Sequence, residues 1–378
     1  MVQKIKRIIF LSKKFYFSLP VQKSVLIWDM EGSSVLAEIL EQENITFEFC
    51  AIRGERINFF VFILSLFDFS DFSFQMSYSK KFIKFTRPKL VLTCIDNSET
   101  FLSLKKYFPE EYIFAVVQNG WRNQWGDLNR IDITGKDLRV DYSFVMNNGL
   151  GSCYHKMYGA ESVVIGSIRS NAIKKCAVDK SNDVLYISQY RNAIHEQMGS
   201  NERFQGVLIT EYVQSELSVI NAVLNWARQN SMKLSILGCS VEHSKAEKQF
   251  YLRYFPQIEI IENSDVCSYE IVDRHAMVVF VDSTLGYEAI GRGVKCVSIN
   301  PRLERCGKSR PFGWPMINKP EGFCWVSSLD DRDWALVLDR VHLMEEEEWL
   351  TWVARSCPDL VRFDPGNSTI RRYLKKYG

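Results

Sequence analysis

The sequence predicts an α/β protein built from two Rossmann-like units, on three observations. Short apolar runs alternate with stretches of helical period, the signature of a mainly parallel sheet covered by helices. The alternation stops in a polar, aperiodic stretch, "SNAIKKCAVDKSND" (170–183), and then starts again. At 378 residues the chain is also longer than one hydrophobic core usually organises.

In the first half, "SVLIWD" (24–29) reads as a strand that meets the turn "MEGSS", and "VLAEILEQEN" follows with apolar residues at helical spacing. "ITFEFCAI" reads as the next strand and "KLVLTCIDN" (89–97) as another, followed by a helical "ETFLSLKKYF". "YIFAVVQNG" (112–120) is a strand ending in Asn-Gly. After the break, "VLYISQYR" (184–191), "KLSILGCS" (233–240), "IEIIEN" (258–263), "AMVVFVDS" (276–283) and "KCVSIN" (295–300) form a second strand series, with a helix over 216–230. The expected domains are therefore 1–175 and 176–345. A helical segment over 346–378 follows, which either packs back on the first domain or turns the basic face of "STIRRYLKKYG" to solvent or anionic lipid. The acidic run at 345–348 reads as a solvated helix start.

Composition narrows the class. Apolar residues make up 46% and charged residues 24%, which excludes disorder, and a net charge of +2 gives no field that argues for a nucleic-acid partner. The ten cysteines are scattered in apolar runs without a CxxC, as reduced buried thiols are, which fits a cytoplasmic protein. The strongly basic N-terminal stretch lacks the organisation of a secretory signal. "INFFVFILSLFDFSDFSF" (57–74) is the most apolar run, but Asp68 and Asp71 interrupt it before the ~20 residues of a bilayer span. It is read as a core helix, with a lipid-facing patch as the alternative.

The most informative stretch is "VVFVDSTLGYEAIGRGVKCVSIN" (278–300), where a buried strand opens through Asp-Ser-Thr into a helix. Free amides at that helix start, with the hydroxyls of Ser283 and Thr284, suit a phosphate; Gly286 allows close backbone approach, and Glu288 suits ribose hydroxyls. The plainer reading is that Asp282 or Ser283 is only an N-cap. Other motifs fail: "CGKS" (306–309) lacks the first P-loop glycine because position 302 is Arg, "HEQMG" (195–199) lacks the second His of a zinc-protease helix, and no GxSxG surrounds Ser283.

In this order, "VLIWDMEGS", "RPKLVLTCIDN", "VVQNGWRN", "VIGSIRSN", "YISQYR" and "DSTLGYEAIGRG" resemble the bacterial surface carbohydrate biosynthesis proteins, which are similar to GT-B glycosyltransferases including transferases of Kdo and other nonulosonic acids. The resemblance implies two Rossmann-like domains facing each other across a cleft, the first taking the acceptor and the second the donor. It implies transfer of a sugar to a lipid-linked glycan of O-antigen or capsule, preferably from a CMP-linked donor. No metal or other cofactor is expected, and peripheral contact with the inner membrane is.

On that reading, Ser188, Gln189 and Arg191 at a strand end, with Lys308 and Arg310 in "CGKSRPFGWP", join Ser283, Thr284, Gly286 and Glu288 around the donor, unless the cations are plain surface charge. Asp29 or Glu31 supplies the base that deprotonates the acceptor, unless either caps the following helix. Gln118 and Asn119 line the acceptor side, unless Asn119-Gly120 is simply a tight turn. Two rival readings stay open: a nucleotide-sugar epimerase-like enzyme and a noncatalytic nucleotide-sugar-binding protein.

Overall fold

A computed structural model describes residues 14–67, 73–122, 136–176, 180–204, 206–263, 267–306, 311–317, 319–356 and 358–378. They fall into two compact units. One holds the described residues of Met1–Gly120, Arg130–Ala172 and Asp364–Gly378, and the other those of Trp121–Asn129 and Ile173–Phe363.

The first unit is built on a sheet of β1 (Val25–Ile27), β2 (Phe47–Phe49), β3 (Leu90–Thr93), β4 (Ile113–Val117), β5 (Tyr142–Val145) and β6 (Glu161–Val164), in the order β2-β1-β3-β4-β5-β6. Every ladder is parallel. The central strands read as unbroken apolar runs because helices cover both faces, so Val25, Leu26 and Ile27 are all buried. Helix α1 (Ser34–Gln42) packs Leu36, Ile39 and Leu40 into the core. The run at 57–74 yields α2 (Phe59–Leu66), of which only Val61 and Ser65 are buried, followed by α3 (Phe74–Thr86). The core-helix expectation thus holds for a minority of α2's side chains. The helix expected over 99–108 is only Glu99–Leu102 plus a 3-10 turn, since Lys105 turns inward to pair with Asp141 at 2.8 Å. Helix α4 (Asn148–Tyr158) joins β5 to β6.

The second unit repeats the plan with β7 (Ser181–Ile187), β8 (Leu234–Leu237), β9 (Glu259–Ile261), β10 (His275–Phe280), β11 (Lys295–Ile299) and β12 (Trp325–Val326), ordered β9-β8-β7-β10-β11-β12 and again all parallel. Its helices include α5 (Ile209–Gln229), α6 (Ser244–Tyr254), α7 (Ser268–Arg274), α8 (Thr284–Gly291), α9 (Asp331–Leu343) and α10 (Glu346–Ser356). A fully buried pair, Arg292 with Asp273, fixes the start of this unit: the guanidinium donates to the Ile173 carbonyl at 3.0 Å, and Asp273 accepts from the Cys176 N–H at 3.0 Å. Helix α11 (Ser368–Leu374) belongs to the first unit, where Ile370 and Leu374 complete the core.

In each sheet the strand order reverses beside the first strand, between β1 and β3 and between β7 and β10. Ligand crevices of open parallel sheets form at such points, beyond the carboxyl ends of the strands.

Candidate functional site

At the switch point of the second unit, β10 ends at Phe280, Val281, Asp282 and Ser283 follow, and α8 begins at Thr284. Ser283 is the N-cap, with extended backbone and no side-chain bond to the helix amides. Its hydroxyl therefore does not do what an N-cap serine usually does. Thr284 is engaged: its Oγ1 accepts the Trp121 N–H at 2.9 Å, and the Trp121 ring stacks on Tyr287 with centroids 3.9 Å apart. Gly286 makes room inside the protein, because a Cβ there would lie 2.2 Å from the Phe280 ring. Glu288 is buried and accepts a hydrogen bond from the Tyr269 hydroxyl at 3.1 Å.

Across the switch point, the end of β7 rests on two buried carboxylates, Glu216 and Glu247. Ser188 Oγ donates to Glu247 at 2.5 Å and accepts the Tyr190 N–H at 3.0 Å, while Glu247 also takes the N–H groups of Cys239 and Ser240. The Ser188 hydroxyl is thus part of the internal frame. Glu216 accepts the Gln189 N–H at 3.0 Å, the Tyr251 hydroxyl at 2.7 Å, His195 Nε2 at 3.4 Å and Arg302 Nη2 at 3.3 Å. His195 Nδ1 lies 3.0 Å from the Arg191 backbone nitrogen and 3.1 Å from the Arg191 carbonyl oxygen, which turns Nε2 toward Glu216. Burial alone would raise the Glu216 carboxyl, but the His195 hydrogen bond and the charges of His195 and Arg302 outweigh it and hold it below the usual range. The Arg191 side chain is exposed, with its guanidinium 5.7 Å from the Phe204 ring.

Arg302, just after β11, is the least expected member. Its guanidinium is buried, 3.6 Å from the centroid of the Tyr212 ring, and its Nε and Nη1 have no hydrogen-bond partner. The hydroxyl of Tyr186, on β7, is likewise buried and unpartnered. Burial disfavours the charged guanidinium, yet the surrounding Tyr212, Glu216 and Asp282 keep it protonated. A buried cation with two unmet donors beside the head of α8 can take an anion's oxygens. Loss of hydration, with the Glu247 carboxylate beside it, pushes the Cys239 thiol next to Ser188 up to about 12, so it is no thiolate nucleophile. Lys308 and Arg310 lie outside the described residues.

At the switch point of the first unit, Asp29, two residues past β1, is fully buried, with its carboxylate accepting Arg53 Nε at 2.7 Å and the Glu31 N–H at 2.9 Å. Glu31 is exposed and shares Arg53. Neither caps α1, whose N-cap is Ser33. Gly32 takes a left-handed φ of +72°, and a Cβ there would lie 3.2 Å from Arg169 Nη2, 3.5 Å from Asn119 Nδ2 and 3.7 Å from Cys94 Cβ. The ends of β1, β3 and β4 thus converge with Arg169 on one backbone turn. Gln118 serves that frame: Nε2 donates to the Gly120 carbonyl and Oε1 accepts the Met146 N–H.

Sequence reasoning gave Glu216, Glu247, His195, Arg302, Arg53 and Arg169 no part in the site. A signal existed for two of them. Glu216 shares a helical face with Tyr212, Val219 and Val223, and Glu247 shares one with Phe250 and Tyr251, so each places a carboxylate on an apolar stripe. Arg302 was visible only as the residue that spoils a P-loop.

Among solved structures, the wall teichoic acid polymerase TagF is similar over 94% of this chain and 87% of its own, at 11% identity and a TM-score of 0.53. Another TagF structure, soaked with CDPG, gives a TM-score of 0.54 at 11% identity, over 94% of this chain and 88% of its own. The UDP-GlcNAc 2-epimerase of Methanocaldococcus jannaschii, in complex with UDP-GlcNAc and UDP, is similar over 95% of this chain and all of its own, at 12% identity and a TM-score of 0.50. These likenesses, with the two parallel sheets, establish a two-domain Rossmann-like GT-B fold. No curated protein sequence matches the chain. Residues 115–378 match a family described as "putative O-antigen biosynthesis protein". That match spans more than half of the sequence, and the chain belongs to this O-antigen biosynthesis protein family.

Proposed function

We propose that the protein is a glycosyltransferase of surface polysaccharide synthesis that takes a nucleotide-linked sugar in its second unit and a glycan acceptor in its first. The observation that carries this reading is the head of α8: an N-cap hydroxyl not used on its own helix, at a sheet switch point, beside a buried arginine with unmet donors. The helix amides and Ser283 receive the phosphate, Arg302 neutralises it, and Glu288 faces the ribose. A nonulosonic acid or Kdo carried on CMP is the preferred donor. CDP-linked donors are the runner-up, supported by the likeness to the CDPG-soaked TagF.

Transfer breaks the bond between the anomeric carbon and the phosphate oxygen while the acceptor oxygen bonds to that carbon. The leaving phosphate's charge is taken by the α8 amides, Ser283 and Arg302, without a metal. Glu31, the reachable carboxylate of the pair, takes the acceptor's proton; Asp29, closed off by Arg53 and the Glu31 N–H, holds the turn in place. The acceptor is lipid-linked, and the protein meets the inner membrane peripherally.

The test is incubation with CMP, CDP, UDP and GDP conjugates, with and without lipid-linked glycan acceptors and with and without EDTA. Transfer that needs an acceptor and survives EDTA is expected. Donor turnover without any acceptor would favour an epimerase-like enzyme, a reading supported by the fold of the archaeal epimerase. Donor binding without product under any acceptor would make the protein a binding module.

A further inference from the structure

We propose that the face of the first unit formed by residues 14–22, 56–67 and 73–87 docks on an anionic lipid bilayer. Phe15–Tyr16 pairs with Ile57–Asn58 in a short parallel ladder. Asn58 then ties three segments together: its Oδ1 accepts the Val61 N–H at the start of α2, its Nδ2 donates to the Ser18 carbonyl at 2.8 Å, and its own N–H goes to the Tyr78 hydroxyl at 2.9 Å. Phe15 meets Phe59 and Phe62 edge to face, and Phe62 meets Phe74 in the same way. The face is therefore one packed substructure.

Its polarity is inverted. In α2 a serine, Ser65, is one of two buried residues, while Phe60 and Leu64 face solvent. Phe67, one turn on, is 72% exposed, and the adjoining loop presents Phe17, Leu19 and Val21, with Phe17 at 64%. A helix of a water-soluble surface turns its apolar stripe inward, and a contiguous apolar patch of this kind marks an interaction surface.

Charge selects the partner. Residues 14–22 and 56–67 contain one basic residue each and 73–87 four, and none of the three segments contains an acidic residue. Asp68 and Asp71 lie between them, outside the described residues. Two of the cations place their charged heads over aromatic rings, the Arg56 guanidinium 4.3 Å from the Tyr16 ring and Lys80 Nζ 4.2 Å from the Tyr107 ring. Exposed aromatic and aliphatic side chains beside a predominantly basic surface, on which Glu48 and Glu55 are the neighbouring carboxylates among the described residues, match the anionic headgroups and acyl boundary of a bilayer. This surface gives the peripheral contact proposed above a location, and its geometry stands whether or not the donor assignment does.

The test is flotation of the full chain with vesicles of phosphatidylcholine alone or mixed with phosphatidylglycerol. The protein is expected to float only with the mixed vesicles and to be released by salt. Leu64→Glu with Phe67→Glu, both exposed, should lower binding at least about tenfold with an unchanged thermal melt, and Lys84→Ala should lower it about fivefold. Should the double variant fail to fold, Phe67→Ser serves in its place. The proposal falls if the protein stays with the soluble fraction, floats equally with neutral vesicles, or floats unchanged in the double variant, which would pass the role to the basic residues 1–13. A double variant that keeps vesicle binding but loses self-association would make the face a protein interface instead. Nucleotide-binding and transfer assays on the same variants separate this proposal from the donor reading, because a docking defect leaves nucleotide affinity intact.

Discussion

Arg302 Nη2 lies 3.3 Å from Glu216 Oε2, with both side chains buried, and the arginine's other two nitrogens have no partner. This pair joins the second unit's stability to its proposed anion site. Arg302→Gln should abolish the preference for nucleotide over nucleoside, read by calorimetric titration of CMP against cytidine, while Arg302→Lys should restore part of it. A wild-type protein that binds neither ligand would remove the donor reading itself; equal loss of both ligands in the variant would make Arg302 purely structural.

Glu216→Gln should destabilise the protein by about 3–5 kcal/mol in denaturant titration, because it leaves a buried guanidinium uncompensated. Acid sensitivity should change as well. The folded-state pKa of Glu216 is depressed, so its contribution is present above the unfolded carboxyl value of about 4.3 and is lost as pH falls through the lower folded value. Stability in the acid range below about pH 4 should therefore fall less steeply in Glu216→Gln than in wild type; parallel curves would contradict the assignment.

Ser283→Ala should leave the melting temperature nearly unchanged, since its side chain caps nothing, but should weaken nucleotide binding by about 1 kcal/mol. Gly286→Ala should behave differently. The new methyl group would press into the Phe280 ring and cost about 1–3 kcal/mol of stability, and Phe280→Leu in the same chain should recover part of it. Recovery of stability by the second change identifies the glycine as a packing residue.

Glu31→Gln should lower kcat by about 10²–10⁴-fold with nucleotide affinity intact. Asp29→Asn should disturb the turn that Arg53 holds, and so move KM for the acceptor as well as kcat. The reverse pattern, read in steady-state kinetics, would exchange their roles.

The two-unit plan was legible because buried parallel strands must be apolar throughout, so "VLIWD" and "AMVVFVDS" announced β1 and β10 together with the polar residues at their ends. β5 and β6 escaped notice: "YSFV" and "ESVV" carry polar residues, and Ser143 is buried only because it pairs with Ser162 at 2.7 Å. The site was legible where chemistry lies in a local turn, as at Ser283. It was illegible where distant helices deliver it, since nothing local in "TEYVQSELS" shows that Glu216 meets Arg302, 86 positions away.

The return of residues 364–378 to the first unit has a consequence for synthesis on the ribosome. Asn171 Oδ1 accepts the Asp364 N–H, Asn367 donates to the Ile168 carbonyl, and Ile370 and Leu374 fill the hydrophobic centre around Ile39. The second unit is translated before these residues emerge, so the first unit cannot close its hydrophobic centre until its last helix arrives.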